Sequence, residues 1–240
     1  MIGAIVQARM GSTRLPGKVM MEAAGKPLLG HLLERLSYCK RLEKTIVATT
    51  TNEQDDVIEE LCDSLGTMVF RGSENDVLDR YYQAAKTLGI TCVVRVTSDC
   101  PLIDPDLIDQ TLSVYANKLD EYDLITNRHP LTYADGVDFD VIPWSGLDAA
   151  WRTARESHQR EHVVPFFWES GMRVCNFEDP RKLFYTHRWT LDYIEDYELI
   201  RSIYSGLYRN GQRFTTNDIL KFLDENPTLS QINAKYLPQR

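Results

Sequence analysis

The sequence predicts an α/β fold in which helices flank a mostly parallel sheet. A short apolar run at residues 2–6 opens the chain, and segments with strand and helix patterns alternate from there to about residue 119. Nowhere does an apolar run reach the length that a membrane-spanning helix needs. Alternation of this kind is typical of βαβ units, which place their strands in parallel.

Composition and charge exclude several classes of protein. The chain has 240 residues and a net charge of -8, and its acidic residues are scattered along it. Because no basic face is available, an RNA-binding module is disfavoured. The five cysteines include no C-x-x-C pair, which indicates reduced thiols. The apolar stretch before Arg9 is too short for a secretory signal, so we expect a cytoplasmic protein that does not bind membranes.

The first half of the chain supplies the regular part of this pattern. Apolar or β-branched runs predict strands, and apolar residues at helical spacing predict helices. The expected strands are at residues 2–6, 45–50, 67–70 and 92–97, and the expected helices are at about 27–36, 52–65, 75–88 and 105–119. Gly66 and Pro105 stand where a helix end and a helix start favour them.

In the second half the strand and helix segments are less regular. The expected strands are at residues 122–126, 137–142, 172–177 and 183–191, and the expected helices are at 147–155, 158–170, from about Asp192 onward and at 217–224. A polar, turn-rich stretch separates the first two of these strands. We therefore expect a single domain, residues 1–240, that carries a smaller insertion around residues 125–180.

The loop after the first strand is the strongest functional signal. It reads QARMGSTRLPGK and carries Arg9, Arg14 and Lys18. Arginine binds phosphate through two hydrogen bonds, and a helix N-terminus adds positive charge. A P-loop has four residues between its glycines, whereas five separate Gly11 from Gly17, and the G-x-G-x-x-G spacing is also absent. A solvated basic turn is the plainer alternative, but a position after a buried strand favours a triphosphate site.

The same loop resembles the N-terminal signature of the CMP-sugar synthetases, the cytidylyltransferases that activate KDO and sialic-type sugars. It is most similar to the SpsF-like branch, named for spore-coat polysaccharide biosynthesis. The pattern A-R-x-x-S-x-R-L-P-x-K is complete in Ala8, Arg9, Ser12, Arg14, Leu15, Pro16 and Lys18. The resemblance implies a three-layer α/β/α nucleotide-diphospho-sugar transferase fold, Rossmann-like and of the GT-A type, with a mixed sheet. It also implies transfer of CMP from CTP to an acidic sugar for cell-surface polysaccharide synthesis, and a homodimer formed through the inserted region.

Two aspartates are candidate Mg²⁺ ligands. Asp99 follows the strand pattern of residues 92–97, where ligand sites of open α/β sheets collect, although a turn would also explain it. Asp192 precedes a helix, and a capping box with Glu195 would explain it equally well. The resemblance implies a metal role for both, because Asp99 matches the aspartate of the D-x-P motif. Asp192, Glu195 and Asp196 match the D-x-x-E-D element.

The resemblance also implies roles for the remaining candidate residues. Arg14 and Lys18 would stabilise the charge on the leaving pyrophosphate. The expected nucleotide contacts are Ala8, Arg9, Gly11, Ser12, Arg14, Lys18, Arg71, Gly72, Ser73 and Ser98. The expected sugar contacts are Asp138, Glu161 and His162, of which the last two match an E-H-V-x-P element.

Residues 158–162, HQREH, suggest a function from another reaction class. They match the H-x-x-E-H pattern of zinc proteases, and both histidines lie on one helical face. No downstream glutamate stands in a clearly suitable helix. Zinc-dependent hydrolysis therefore remains an alternative, as does a nucleotide-sugar pyrophosphorylase that uses another base.

Overall fold

A seven-stranded sheet organises the protein in a computed structural model that describes residues 1–239. Its strands are β1 (Ile2–Gln7), β4 (Lys44–Thr50), β5 (Met68–Gly72), β6 (Cys92–Thr97), β7 (Leu124–Thr126), β8 (Phe139–Pro143) and β9 (Val174–Asn176). A small hairpin is made of β2 (Glu22–Ala23) and β3 (Lys26–Pro27). The spatial order in the large sheet is β5-β4-β1-β6-β8-β7-β9.

The sheet is mixed and mostly parallel, as predicted. β1 pairs in parallel with β4 and β6, and β4 pairs in parallel with β5. β8 runs antiparallel to both of its neighbours, β6 and β7. The carboxyl ends of the parallel strands therefore share one edge with the amino end of β8.

Helices cover both faces of the sheet, because successive strand residues point into two different cores. Ala4 and Val6 belong to one buried cluster, whereas Ile5 between them belongs to the other. The helices are α1 (Leu28–Ser37), α2 (Asp56–Ser64), α3 (Val77–Leu88), α4 (Pro105–Tyr115), α5 (Trp144–Thr153), α6 (Ser157–His162), α7 (Pro165–Glu169), α8 (Ile194–Leu207) and α9 (Thr216–Glu225). Within residues 1–239, no helix combines the length and apolar character needed to cross a membrane.

Two expectations about the second half are wrong. The helix expected at 158–170 is two helices, because Val163 has a φ of 68° between them. The strand expected at 183–191 is a 3₁₀ turn at Leu183–Tyr185 followed by extended chain with one isolated bridge. Gly136 passes so close to Thr190 there that a Cβ atom would overlap the backbone, and no ladder extends from the bridge.

The region expected as an insertion contributes β8, β9 and helices α5 to α7 to the main body. It therefore extends the common sheet, and its part in dimerisation stays a prediction.

Candidate active site

A cavity of about 790 Å³ opens at the sheet edge where β1 and β6 end. The loop after β1, the loop after β6, the start of α3, the β7–β8 connection, α6 and the segment before α8 all contribute to its wall. Most predicted site residues meet there: Ala8, Arg9, Ser12, Arg14, Lys18, Ser98, Asp99, Asp138, Glu161, His162 and Asp192. Residues that are far apart in sequence thus form one site.

The other predicted residues, Gly11, Arg71, Gly72 and Ser73, do not line the cavity. The Arg71 guanidinium instead pairs with Asp56 at 2.6 Å and Glu59 at 2.8 Å.

Gly72 and Ser73 act on the site indirectly, through Arg80. A Cβ atom on Gly72 would lie 2.8 Å from Cγ of Arg80, so glycine leaves room for that side chain. The carbonyl oxygen of Ser73 accepts a hydrogen bond from Nη1 of Arg80 at 3.1 Å. These two residues therefore position Arg80, which does line the cavity.

The loop after β1 is held in shape by its own backbone and by Asp55. The carbonyl oxygen of Met10 accepts hydrogen bonds from the N–H groups of Ser12 and Gly17. Gly17 has a φ of 71°, in the left-handed region that glycine adopts without strain. The Asp55 carboxylate accepts the N–H of Met10 at 2.7 Å and the hydroxyl of Thr50. This framework directs Arg14 and Lys18 into the cavity.

Lys18 lies between the two predicted metal ligands. Its Nζ atom is 3.0 Å from Oδ1 of Asp192 and 3.5 Å from Oδ2 of Asp99. The ammonium group also donates to the carbonyl oxygen of Leu191 at 2.6 Å, and Lys18 is only 8% exposed. A buried cation is stable only with such partners, so the three charges depend on one another.

Asp192 is surrounded by cations. Its Oδ1 atom also accepts Nη2 of Arg14 at 2.7 Å, and its Oδ2 atom lies 3.3 Å from Nη2 of Arg188. Arg14 is far more exposed than Lys18, with 54% of its side chain accessible. The Arg14 guanidinium also lies 5.6 Å from the centre of the Tyr193 ring.

The structure shows which residue caps α8, and the metal role of Asp192 stays a prediction. The N–H groups of Asp192 and Tyr193 both bond to Oδ2 of Asp196, each at 3.0 Å. Glu195 instead binds Nζ of Lys235 at 2.6 Å. Asp196 therefore caps the start of α8, and the carboxylate of Asp192 is left for the cavity.

Asp99 is suited to the charged state that metal binding requires. Burial raises the pKa of its carboxyl group, but Lys18, a hydrogen bond from Thr97 and the charge of Arg128 outweigh that effect and leave the pKa below its usual value. The Asp99 carbonyl oxygen accepts the N–H of Leu191 at 2.8 Å, which fastens the two aspartate-bearing segments together.

The chemistry of these donors fits Mg²⁺. Two carboxylates converge on the single Nζ atom of Lys18, and Mg²⁺ commonly takes one or two carboxylates and completes its shell with phosphate oxygens and water. In the described part of the chain, no three His, Cys, Asp or Glu side chains come together as a metal site. Asp99 and Asp192 are therefore the residues that would hold such an ion.

Asp138 and Arg128 form a different part of the wall, at the start of β8. Asp138 is 9% exposed, and its Oδ1 atom is buried with no hydrogen-bond partner among residues 1–239. Burial raises the pKa of Asp138 to about 7, opposed by Arg128 and increased by the carboxylates of Asp135, Asp140 and Asp99. Burial lowers the pKa of Arg128, but the neighbouring carboxylates more than compensate. The Arg128 guanidinium forms no ion pair with the residues described.

A buried polar network lies beneath the cavity. Nη1 of Arg95 pairs with Oδ2 of Asp140 at 2.9 Å, and Thr126 donates its hydroxyl to Oδ1 of the same carboxylate at 2.7 Å. Nη2 of Arg95 donates to the side-chain oxygen of Gln7 at 3.2 Å. The network connects β1, β6, β8 and β7, so it fixes the floor of the cavity across both halves of the sheet.

The two histidines of the HQREH segment have different surroundings. His158 pairs with Glu169 at 2.8 Å on the exposed surface, whereas His162 lines the cavity beside Glu161. Arg160 joins α6 to the start of α3 through Asp76 at 2.7 Å. The segment thus closes one side of the cavity.

Sequence reasoning missed Arg80, Arg128, Arg155 and Arg188. Arg80 gave a usable signal, because a cation on the apolar face formed by Val77, Tyr81 and Ala84 is unusual in a helix. It is 2% exposed, and its Nε atom has no partner among residues 1–239. Arg128 and Arg155 lie in turn-rich segments where cations are ordinarily solvated, so their sequence gave no such signal.

Comparison with known proteins identifies the relatives of this chain. The profile of the family described as Cytidylyltransferase matches residues 3–203. The spore coat polysaccharide biosynthesis protein SpsF of Bacillus subtilis is 32% identical over 93% of this chain and 94% of its own. An 8-amino-3,8-dideoxy-manno-octulosonate cytidylyltransferase of Shewanella pealeana is 38% identical over 51% of this chain and 50% of its own. The solved structure of a cytidylyltransferase from Leptospira borgpetersenii has a TM-score of 0.91 and 36% identity, with 96% of each chain covered.

Proposed function

We propose, since this chain belongs to the cytidylyltransferase family, that it transfers CMP from CTP to a hydroxyl group of an acidic sugar and releases pyrophosphate. The observation that carries the proposal is the cluster of Lys18, Asp99 and Asp192, which joins the cationic loop to two carboxylates in one cavity. Such a cluster suits a triphosphate with its metal ion.

The loop residues would bind the triphosphate by exchanging partners. Arg14 and Lys18 now neutralise Asp192, and phosphate oxygens would take over both cations. Asp192 Oδ1 would then be free to hold Mg²⁺ together with Asp99. The ion would supply positive charge to the phosphate oxygens.

The bond changes follow from this arrangement. The sugar oxygen would attack the α-phosphorus, the bond to the bridging oxygen of pyrophosphate would break, and the sugar hydroxyl would pass its proton to solvent water. Arg14 and Lys18 would stabilise the negative charge that grows on the leaving pyrophosphate. Arg80 would donate its unpartnered Nε–H group to the nucleotide.

Groups near β8 would bind the sugar. Arg128 offers an unpaired guanidinium to the sugar carboxylate, and charge-assisted bonds of this kind are short and strong. Asp138 offers an oxygen without a partner to a sugar hydroxyl, with Glu161 and His162 across the cavity. The Shewanella relative is named for an octulosonate, an acidic sugar, which supports the same class of substrate.

The wider setting is also part of the proposal. The likeness to SpsF supports a role in cell-surface polysaccharide synthesis. We also propose that the protein acts in the cytoplasm and forms a homodimer, and light scattering after size exclusion tests the dimer. No comparison supports zinc-dependent hydrolysis.

Pyrophosphate release tests the reaction. CTP, UTP, ATP and GTP are each offered with KDO, sialic-type and pseudaminic-type sugars in the presence of Mg²⁺. We expect turnover with CTP and at least one acidic sugar. Preference for UTP would contradict the assignment of the base, and CTP turnover only with neutral sugars would contradict the sugar class.

A further inference from the structure

The family match ends at residue 203, and a later segment, residues 229–236, packs against the start of α8. Two 3₁₀ turns, Leu229–Gln231 and Ala234–Tyr236, place Asn233 between them. Asn233 is 3% exposed although it is polar, so its hydrogen bonds must be made inside the protein.

The partner of Asn233 is Asp196, the residue that caps α8. Nδ2 of Asn233 donates to Oδ1 of Asp196 at 2.8 Å and to the carbonyl oxygen of Arg188 at 2.9 Å. Asp196 is fully buried and also accepts Nε and Nη2 of Arg188, each at 3.1 Å. A buried carboxylate needs all of these donors, so loss of one weakens the whole group.

Asp196 in turn holds Asp192 from two directions. Its Oδ2 atom fixes the backbone N–H of Asp192 at 3.0 Å, and it orients the Arg188 guanidinium that lies 3.3 Å from Oδ2 of Asp192. The Oδ1 atom of Asp192 instead bonds to Arg14 and Lys18, the two cations of the loop after β1. The two oxygens of this carboxylate therefore have different partners: Oδ2 is held by Arg188, and Oδ1 is directed to the cavity.

We propose that Asn233 is a positioning residue for the reaction: through Asp196 and Arg188 it sets the orientation in which Asp192 presents Oδ1 to the metal and the triphosphate. This inference rests on the proposed function. The same C-terminal segment supports Arg14 as well, since Tyr236 stacks on Tyr193 at 4.0 Å and Arg14 lies over the Tyr193 ring.

Binding of metal and CTP without the sugar tests the inference apart from turnover. Mn²⁺ titrated into protein and CTP gives the half-saturating metal concentration by calorimetry. For Asn233→Ala we expect a rise of about 10-fold, as is usual when a group behind a metal ligand is removed. Asn233→Asp, which has the same shape but sets a carboxylate against Asp196, should be impaired at least as much.

Leu229→Ala is the matched control, because Leu229 packs in the same segment and contacts the core without bonding to Asp196. It should lower the melting temperature and leave the half-saturating Mn²⁺ unchanged. If Asn233→Ala does not fold, Asn233→Gln, which keeps the amide one methylene farther out, should show a rise of about threefold.

A contrary result has a clear form. If Asn233→Ala or Asn233→Gln lowers the melting temperature as Leu229→Ala does but keeps the half-saturating Mn²⁺ of the unchanged protein, Asn233 is only structural and the inference is wrong. If the unchanged protein binds no CTP with Mn²⁺, the proposed function fails, and the inference fails with it.

Discussion

The loop after β1 and the β7–β8 connection both bring cations to the cavity, but the two regions differ in whether those cations have ion-pair partners. In the loop, Arg14 and Lys18 are both paired with Asp192. Near β8, Arg128 has no ion-pair partner among the first 239 residues, and Asp138 keeps a buried oxygen without a donor. The charges of the loop are therefore neutralised without a ligand, whereas Arg128 and Asp138 near β8 have free hydrogen-bonding groups in the described chain.

The difference concerns what a ligand must do in each place. A triphosphate would have to displace existing ion pairs, so we expect its binding to exchange partners, with the proposed Mg²⁺ compensating the carboxylates. A sugar acid would instead satisfy groups that are buried at a cost in free energy. Loop substitutions should therefore affect catalysis and stability together, and β8 substitutions should affect sugar binding.

Lys18→Met should give the largest effect. It removes a phosphate partner and leaves Asp99 and Asp192 facing each other, so we expect kcat/KM to fall by about 10³-fold, as for other lost charge stabilisers. Pyrophosphate release measures this, with the surface variant Lys86→Met as control. A loss below tenfold would show that Lys18 is only structural.

Arg128→Met should raise the KM for the acidic sugar about 100-fold, because a charge-assisted bond is lost from a buried site. The KM for CTP should stay the same. Arg155→Met, which removes another cavity cation without an ion pair in the described chain, is the matched variant. If Arg128→Met raises the KM for CTP and leaves the KM for the sugar unchanged, the nucleotide and sugar sides of the cavity have been assigned the wrong way round.

Asp138 should make stability depend on pH. Its folded pKa is raised to about 7, so the protonated carboxyl group favours the folded state. That contribution is complete below the ordinary pKa and is lost as pH rises toward 7. Between pH 5 and 7 the unchanged protein should lose about 2 kcal/mol relative to Asp138→Asn. Denaturant unfolding of both proteins across this range measures the difference, and parallel curves would contradict it.

Arg71→Ala should have the smallest effect. Its guanidinium pairs with Asp56 and Glu59 outside the cavity, and partly exposed ion pairs contribute at most about 1 kcal/mol. It also donates to the carbonyl oxygens of Thr50 and Asn52, which adds a similar modest contribution to stability. Activity should change less than twofold while the melting temperature falls slightly. A large loss of CTP affinity would restore the nucleotide role that the sequence predicted for Arg71.

The sequence singled out Arg14, Lys18 and Asp99 on the loop side of the cavity, and on the β8 side it singled out Asp138 but not Arg128. β6 was predicted to the residue, and Arg14, Lys18 and Asp99 follow regular strands whose ends are legible from apolar patterns. Arg128 lies in a turn-rich stretch, where no apolar pattern locates the end of a strand. Its burial depends on how β7 and β8 pair, which no local pattern contains.

Asp192 shows a second limit of sequence reasoning. A helix cap and a metal ligand require the same residue type at the same place, so spacing could not separate them. Side-chain directions show only which residue caps the helix: Asp196 turns back to the helix start, while Glu195 turns to Lys235. Likewise, residues 183–191 were expected to form a strand, but within the described chain they make only the single bridge between Asp135 and Arg188.

The reversed direction of β8 has a consequence for how substrate range can diverge in this architecture. Because β8 alone opposes its neighbours in the centre of the sheet, the connection that enters it, residues 127–138, opens at the cavity edge. That connection is also packed into the protein, because Tyr133, Ala134 and Val137 belong to the core and Asp135 pairs with Arg188 at 2.7 Å. Changes at the cavity-facing residues Arg128 and Asp138 would therefore alter the proposed sugar site, and they would leave Arg188 and Asp192 in place only if Asp135 were kept.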